Sequence, residues 1–160
     1  MPEGTLTHDL TALLTTAETL NHASNSINTI LTAVEQQLVQ ANLGLEVWLI
    51  HSPLSSSTPE RDDNDEKLSS TNVELGFAKL HDGWHLAARD IGVTPGPPDD
   101  YGDPSRLNPC LLLGPYPLAQ ASREERLAAL RLLPTLIKTL HEKADKAIKA
   151  IEDAKQLILC

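Results

Sequence analysis

Apolar residues recur at alternating intervals of four and three in two long stretches, one near each end of the chain. The first runs Leu6, Leu10, Leu13, Ala17, Leu20, Ser24, Ile27, Leu31, Val34, Leu38 and Ala41. The second runs Leu130, Leu133, Ile137, Leu140, Ala144, Ala147, Ile151, Ala154 and Ile158. A mean spacing of about 3.5 residues is close to one helical turn, so each set forms a single stripe along an α-helix. Only Ser24 breaks the apolar rule. These stripes predict helices over 5–42 and 122–158. Ser122-Arg123-Glu124-Glu125 is a capping box that opens the second helix. Gly44 follows Asn42 as a stop for the first. Pro134 removes a backbone donor inside the second helix and predicts a kink. Glu142 with Lys146 and Asp145 with Lys149 are favourable i,i+4 pairs near its end.

Between the helices the helical period disappears. Residues 46–51 are short and rich in β-formers, which predicts a strand. Two apolar runs over 73–91 flank Asp82-Gly83, a pair suited to a hairpin turn because both positions tolerate positive φ. Pairing about that turn sets His81 opposite Trp84, Lys79 opposite Leu86 and Phe77 opposite Ala88. One face then carries Val73, Leu75, Phe77, Trp84 and Leu86, and the other Gly76, Ala78, Leu80, Ala87 and Ile91. Residues 51–72 are serine-rich and acidic and predict a mobile loop. Residues 92–121 hold seven of the eleven prolines. Within that long loop, Cys110-Leu111-Leu112-Leu113 is apolar enough to dock on the sheet or form a short edge strand. The expected fold is α+β, a single domain over 1–160. Two long antiparallel helices form a hairpin, joined at one end by a small, three-stranded, mostly antiparallel sheet with long loops.

The stripes are wider than a two-helix seam. Leu14, Ala23 and Ile30 flank the first, and Leu127, Leu136, Ile148, Ala150 and Leu157 flank the second. A strand of five or six residues covers only ~17–20 Å, whereas the first helix runs ~55 Å. A cap at one end therefore leaves the far stripes wet, and a homodimer forming a four-helix bundle is the expected remedy. Its interface would comprise Leu10, Leu13, Leu20, Ile27, Leu31, Val34, Leu38, Ile137, Leu140 and Ile151. Ser24 would join Asn28 and His141 in a polar layer that fixes register, or bond to its own helix carbonyl.

Charge narrows the partners. The net charge of −9 disfavours nucleic acid, whose phosphates need a clustered basic surface. Residues 1–60 hold no lysine or arginine, while eight of the thirteen basic residues follow Ser122. The first helix is thus acidic and the last slightly basic. No apolar run approaches the ~20 residues that span a bilayer, and the N-terminus lacks the basic and apolar regions of a signal peptide. The expected location is the cytoplasm. Cys110 and Cys160 have neither a disulfide framework nor metal-ligand spacing around them.

Candidate chemistry is sparse. His81 and His85 have the spacing of zinc-binding helices, but the predicted turn lies between them and points them apart. The sequence 62–66 starts like a calcium loop and then lacks its glycine and its closing glutamate. Asp99, Asp100 and Asp103 suit a solvated loop. No phosphate-binding or nucleophile motif occurs, so no catalytic residue, metal ligand or cofactor is assigned. The leading expectation is a non-enzymatic interaction or scaffold protein that self-associates through its helices. Trp48, Lys79, His81, Trp84 and Tyr116 would contact a partner at the β cap, since aromatic residues on loop-rich rims anchor binding. A small-ligand-binding or sequestering protein with a pocket between cap and helices is the alternative. An enzyme built from cap loops and histidines ranks last.

Overall fold

A computed structural model describes residues 3–57, 70–95 and 107–159. Its elements run α1 (Glu3–Ala41), β1 (Val47–Trp48), β2 (Ser55–Ser57), β3 (Ser70–Leu80), β4 (Gly83–Pro95), β5 (Leu107–Pro117), a 3-10 turn (Leu118–Gln120) and α2 (Arg123–Leu159). The fold is α+β, with both helices within two residues of their predicted ends. Asn42 and Gly44 take φ of 50° and 64°, so α1 stops on left-handed residues as its C-terminal sequence implies. At α2 the capping box forms in full. The Glu125 N–H donates to Ser122 Oγ at 3.2 Å, and the Ser122 N–H donates back to Glu125 Oε2 at 2.9 Å. α2 continues through Pro134. Its side-chain pairs are Lys138–Glu142 and His141–Asp145, not the two expected from sequence.

The sheet has five antiparallel strands, not three, in the order β1-β3-β4-β5 with β2 also on β3. β1 and β2 form one interrupted edge. The N–H groups of Leu49 and Leu54 donate to the carbonyls of Leu75 and Val73, and residues 50–53 bulge out between them. The predicted loop 51–72 therefore contributes β2 and the start of β3, and residues 58–69 lie outside the described ones. Within 92–121, the apolar Cys110–Leu113 piece sits inside the other edge strand, β5. Prolines 109, 115 and 117 are tolerated there because an edge strand has donors it need not use.

The hairpin register is shifted by one pleat from the expectation. Leu80 pairs with Gly83, Lys79 with Trp84 and Phe77 with Leu86. The turn centres on His81 and Asp82, and Gly83 alone takes a positive φ, 140°. A shift of two residues between partners keeps each side chain on its predicted face. Val73, Leu75, Phe77, Leu86 and Ala88 join Leu31, Leu133, Leu136 and Leu140 of the helices in one core. On the opposite face Trp48 lies so close over Gly76 that a Cβ there would collide with its ring. Arg89 stacks on Trp48 at 4.3 Å and bonds the buried Glu74 carboxylate at 2.8 Å.

The helices are parallel, not antiparallel. Arg123 donates to Asn21 Oδ1 at 2.9 Å, and Lys143 donates to the Glu46 carbonyl. Asn21 and Ala41 stand ~30 Å apart along α1, far beyond the reach of one side chain, so both helices advance together. A third contact agrees, since Ser55 bonds Glu125 at 3.1 Å. α2 thus runs against the β1–β2 edge, as α1 does before its reversal at Asn42. The sheet does not cap one end of a helical hairpin. The sheet instead lies beneath the C-terminal half of α1 and the N-terminal half of α2. α1 packs over β4, while α2 packs over β1 and β3, so the 3-10 turn after β5 carries the chain back across the sheet. Each helix consequently has a free arm, residues 3–20 of α1 at one end and 144–159 of α2 at the other. No helix among the described residues is long and apolar enough to cross a membrane.

Candidate functional site

Glu35 is the lone charged side chain of α1 between Glu18 and Glu46, histidine aside. β5 ends with Pro117 opposite Ala87, which leaves the next N–H of β4, that of Leu86, without a strand partner. Glu35 Oε2 accepts it at 2.8 Å, a charge-assisted bond stronger than an ordinary ladder bond. Its other oxygen, Oε1, stands 3.3 Å from His85 Nδ1, and His85 Nε2 stands 2.9 Å from Asp82 Oδ1. The imidazole is thus held between two carboxylates, one at each ring nitrogen. Because the carboxylates flank opposite ring nitrogens, they do not converge on a shared point as metal ligands must.

Glu35 and His85 line one side of a cavity of about 360 Å³. Its floor is apolar, made by Leu31, Leu86 and Leu118, and α2 supplies Arg126 on another wall. The Arg126 guanidinium has no hydrogen bond or ion pair among the described residues. Asn28 and Thr32 add neutral polar groups from α1. The cavity therefore offers one cation, one anion and a greasy base. Sequence reasoning did not bring these residues together: it places Leu31 at an oligomer interface and Asn28 in a polar layer, weighs His85 only as a zinc ligand, and gives Glu35 and Arg126 no role. The available signal was Glu35 itself, a solitary carboxylate beside Val34 on an otherwise uncharged stretch of helix.

The five residues expected to contact a partner do not share a surface. Trp84 stacks on Phe77 with ring centroids 5.3 Å apart and belongs to the core side. Tyr116 lies on that same side and donates to Asp90 Oδ1 at 2.9 Å. Burial first, then that bond and the charges of Asp90 and Glu125, push its phenol far above the ordinary range. Trp48 faces the other way over Gly76, with its indole donating to Glu46 at 2.6 Å. Lys79 and His81 are exposed at the hairpin end. The carboxylates at 62–66 and 99–103 lie outside the described residues.

The residues expected at an oligomer interface divide by position along the helices. Leu31 and Leu140 are buried in the chain's own core, with Ile27, Val34 and Leu38 packed beside them. Leu10, Leu13 and Leu20 on the α1 arm are exposed, as are Ile137 and the α2-arm residue Ile151. The α1 arm hides its polarity. Thr11, Thr15, Thr16 and Thr19 each donate to the carbonyl four residues back, which spends the hydroxyl on the helix itself. The polar layer expected at Ser24 does not form. Ser24 Oγ is buried without a partner among the described residues, and His141 is exposed and paired with Asp145. No protein-family model matches the chain, and no curated protein or solved structure does either.

Proposed function

We propose that this chain is a non-enzymatic interaction protein that works as a homodimer, each copy covering the other's free helix arms. The observation that carries this reading is the pair of uncovered arms. Leu6, Leu10, Leu13, Leu14 and Leu20 on one, and Ile148, Ile151, Leu157 and Ile158 on the other, are all exposed in a single chain. Burying each such side chain is worth about 1.5–3 kcal/mol before the cost of association. An isolated helix of this length is marginal in water, and the threonine- and asparagine-rich α1 arm has weak helix propensity besides.

The arms differ little in length, ~27 Å and ~24 Å, and point in opposite directions. A twofold axis across the middle of the shared stretch lays each α1 arm against the partner's α2 arm, twice over. Such an interface is isologous and closes on itself. Charge favours this pairing over α1 on α1. The α1 arm carries Glu3, Asp9 and Glu18 with no lysine or arginine and would repel a second copy of itself, whereas the α2 arm balances Lys146, Lys149 and Lys155 against Asp145, Glu152 and Asp153. Ile30, Leu127 and Ile137, exposed along the shared stretch, extend the same apolar surface between the arms.

Light scattering on the purified chain should give twice the 17.4 kDa chain mass. Leu13→Asp and Ile151→Asp should each give a folded monomer, because both side chains lie outside the core. A wild-type mass of 17.4 kDa refutes the dimer, and an undiminished dimer in both variants refutes its arms as the interface.

A further inference from the structure

The cavity beside β4 is built wholly within one copy, so what it holds does not depend on the dimer. We propose that it binds a free α-amino acid with an aliphatic side chain. Two walls carry opposite charges, Glu35 and Arg126, yet no ion pair joins them. Both are engaged at once only by a molecule that carries both signs itself. Phosphates and dicarboxylates meet Glu35, with Asp82 behind His85, and are repelled. A simple amine meets the Arg126 guanidinium and is repelled in turn.

A zwitterion satisfies both walls. Its carboxylate takes the planar fork of the guanidinium in a bidentate pair. Its ammonium donates to Glu35, whose oxygens each accept only one bond from the protein and retain a free lone pair. The Asn28 amide stands on the same α1 wall as a further polar contact. The side chain then lies on Leu31, Leu86 and Leu118, which are buried and offer no polar atom to a polar substituent. The volume of about 360 Å³ is near the lower end of ligand pockets, roughly 300–1,000 Å³, and suits a single small molecule better than a peptide.

Isothermal titration of the full chain with L-leucine, N-acetyl-L-leucine and L-leucinamide tests this directly. L-leucine should bind and raise the melting temperature, while each derivative, having lost one charge, should bind at least tenfold more weakly. Arg126→Gln should abolish the L-leucine heat and leave the unliganded melting temperature unchanged, because its guanidinium has no hydrogen bond or ion pair among the described residues. Absence of binding by L-leucine overturns the proposal, as does equal binding of N-acetyl-L-leucine or full affinity in Arg126→Gln.

Discussion

The two halves of α1 obey one hydrophobic rhythm and meet opposite fates. Leu31 is 6% exposed and Leu13 is 61% exposed, although both occupy the same stripe. α2 shows the same contrast in reverse, with Leu136 at 0% in its first half and Ile151 at 56% in its second. The four-three spacing specifies which side of a helix is apolar. It contains no information on what covers that side. The sheet covers one half of each helix, and because the helices are parallel and staggered, neither can cover the arm of the other.

The sharpest test of this contrast is a pair of leucine truncations. Leu136→Ala should destabilise the chain by about 2–5 kcal/mol, since it opens a cavity where nothing can collapse inward. Leu13→Ala should change the stability of dilute protein by no more than ~0.5 kcal/mol, as surface substitutions do. Its effect should instead grow with protein concentration, the mark of a side chain buried only on association. Urea melts at two concentrations a hundredfold apart measure both. Equal and concentration-independent losses would show that the two halves are held by one intramolecular core.

Much of the packed region was legible in the sequence, and the reasons are local. The capping box at Ser122 needs four consecutive residues, and it forms as they imply. The hairpin faces follow from strict alternation over 73–91, which survives even a displaced turn. That turn moved because His81 and Asp82 need no positive φ when Gly83 supplies it. The relative direction of the helices was not legible, since it depends on the path of the chain from the end of β5 through the 3-10 turn to α2. The cavity was hidden for a related reason. Glu35, His85 and Arg126 come from three elements, and only the early end of β5 at Pro117 exposes the N–H that draws Glu35 into place.

Alkaline pH should loosen the packed region selectively. Tyr116 stands near the end of β5, beside Asp90 of β4 and Glu125 of α2, and its phenol is held above its ordinary value. In the unfolded chain it ionises near pH 10, earlier than in the folded one. Its contribution is therefore fully present below pH 10 and is lost as pH rises above it. The urea midpoint should be flat up to that point and then fall, and Tyr116→Phe should remove this part of the fall. An identical alkaline decline in the variant would place the sensitive group elsewhere.

Ser24 supplies the smallest and most discriminating test, because it lies at the boundary between arm and packed half. It is 7% exposed, and its hydroxyl has no partner among the described residues, in contrast to the back-bonded threonines of the arm. A buried hydroxyl without a partner costs about 1–3 kcal/mol of desolvation. Ser24→Ala removes that cost while keeping the small volume, so it should stabilise the chain by about 1 kcal/mol. A loss of stability would show that the hydroxyl finds a partner in solution. If that loss appeared only at concentrations where the chain is dimeric, the partner would belong to the second copy. The twofold contact would then extend from the arms into the packed half.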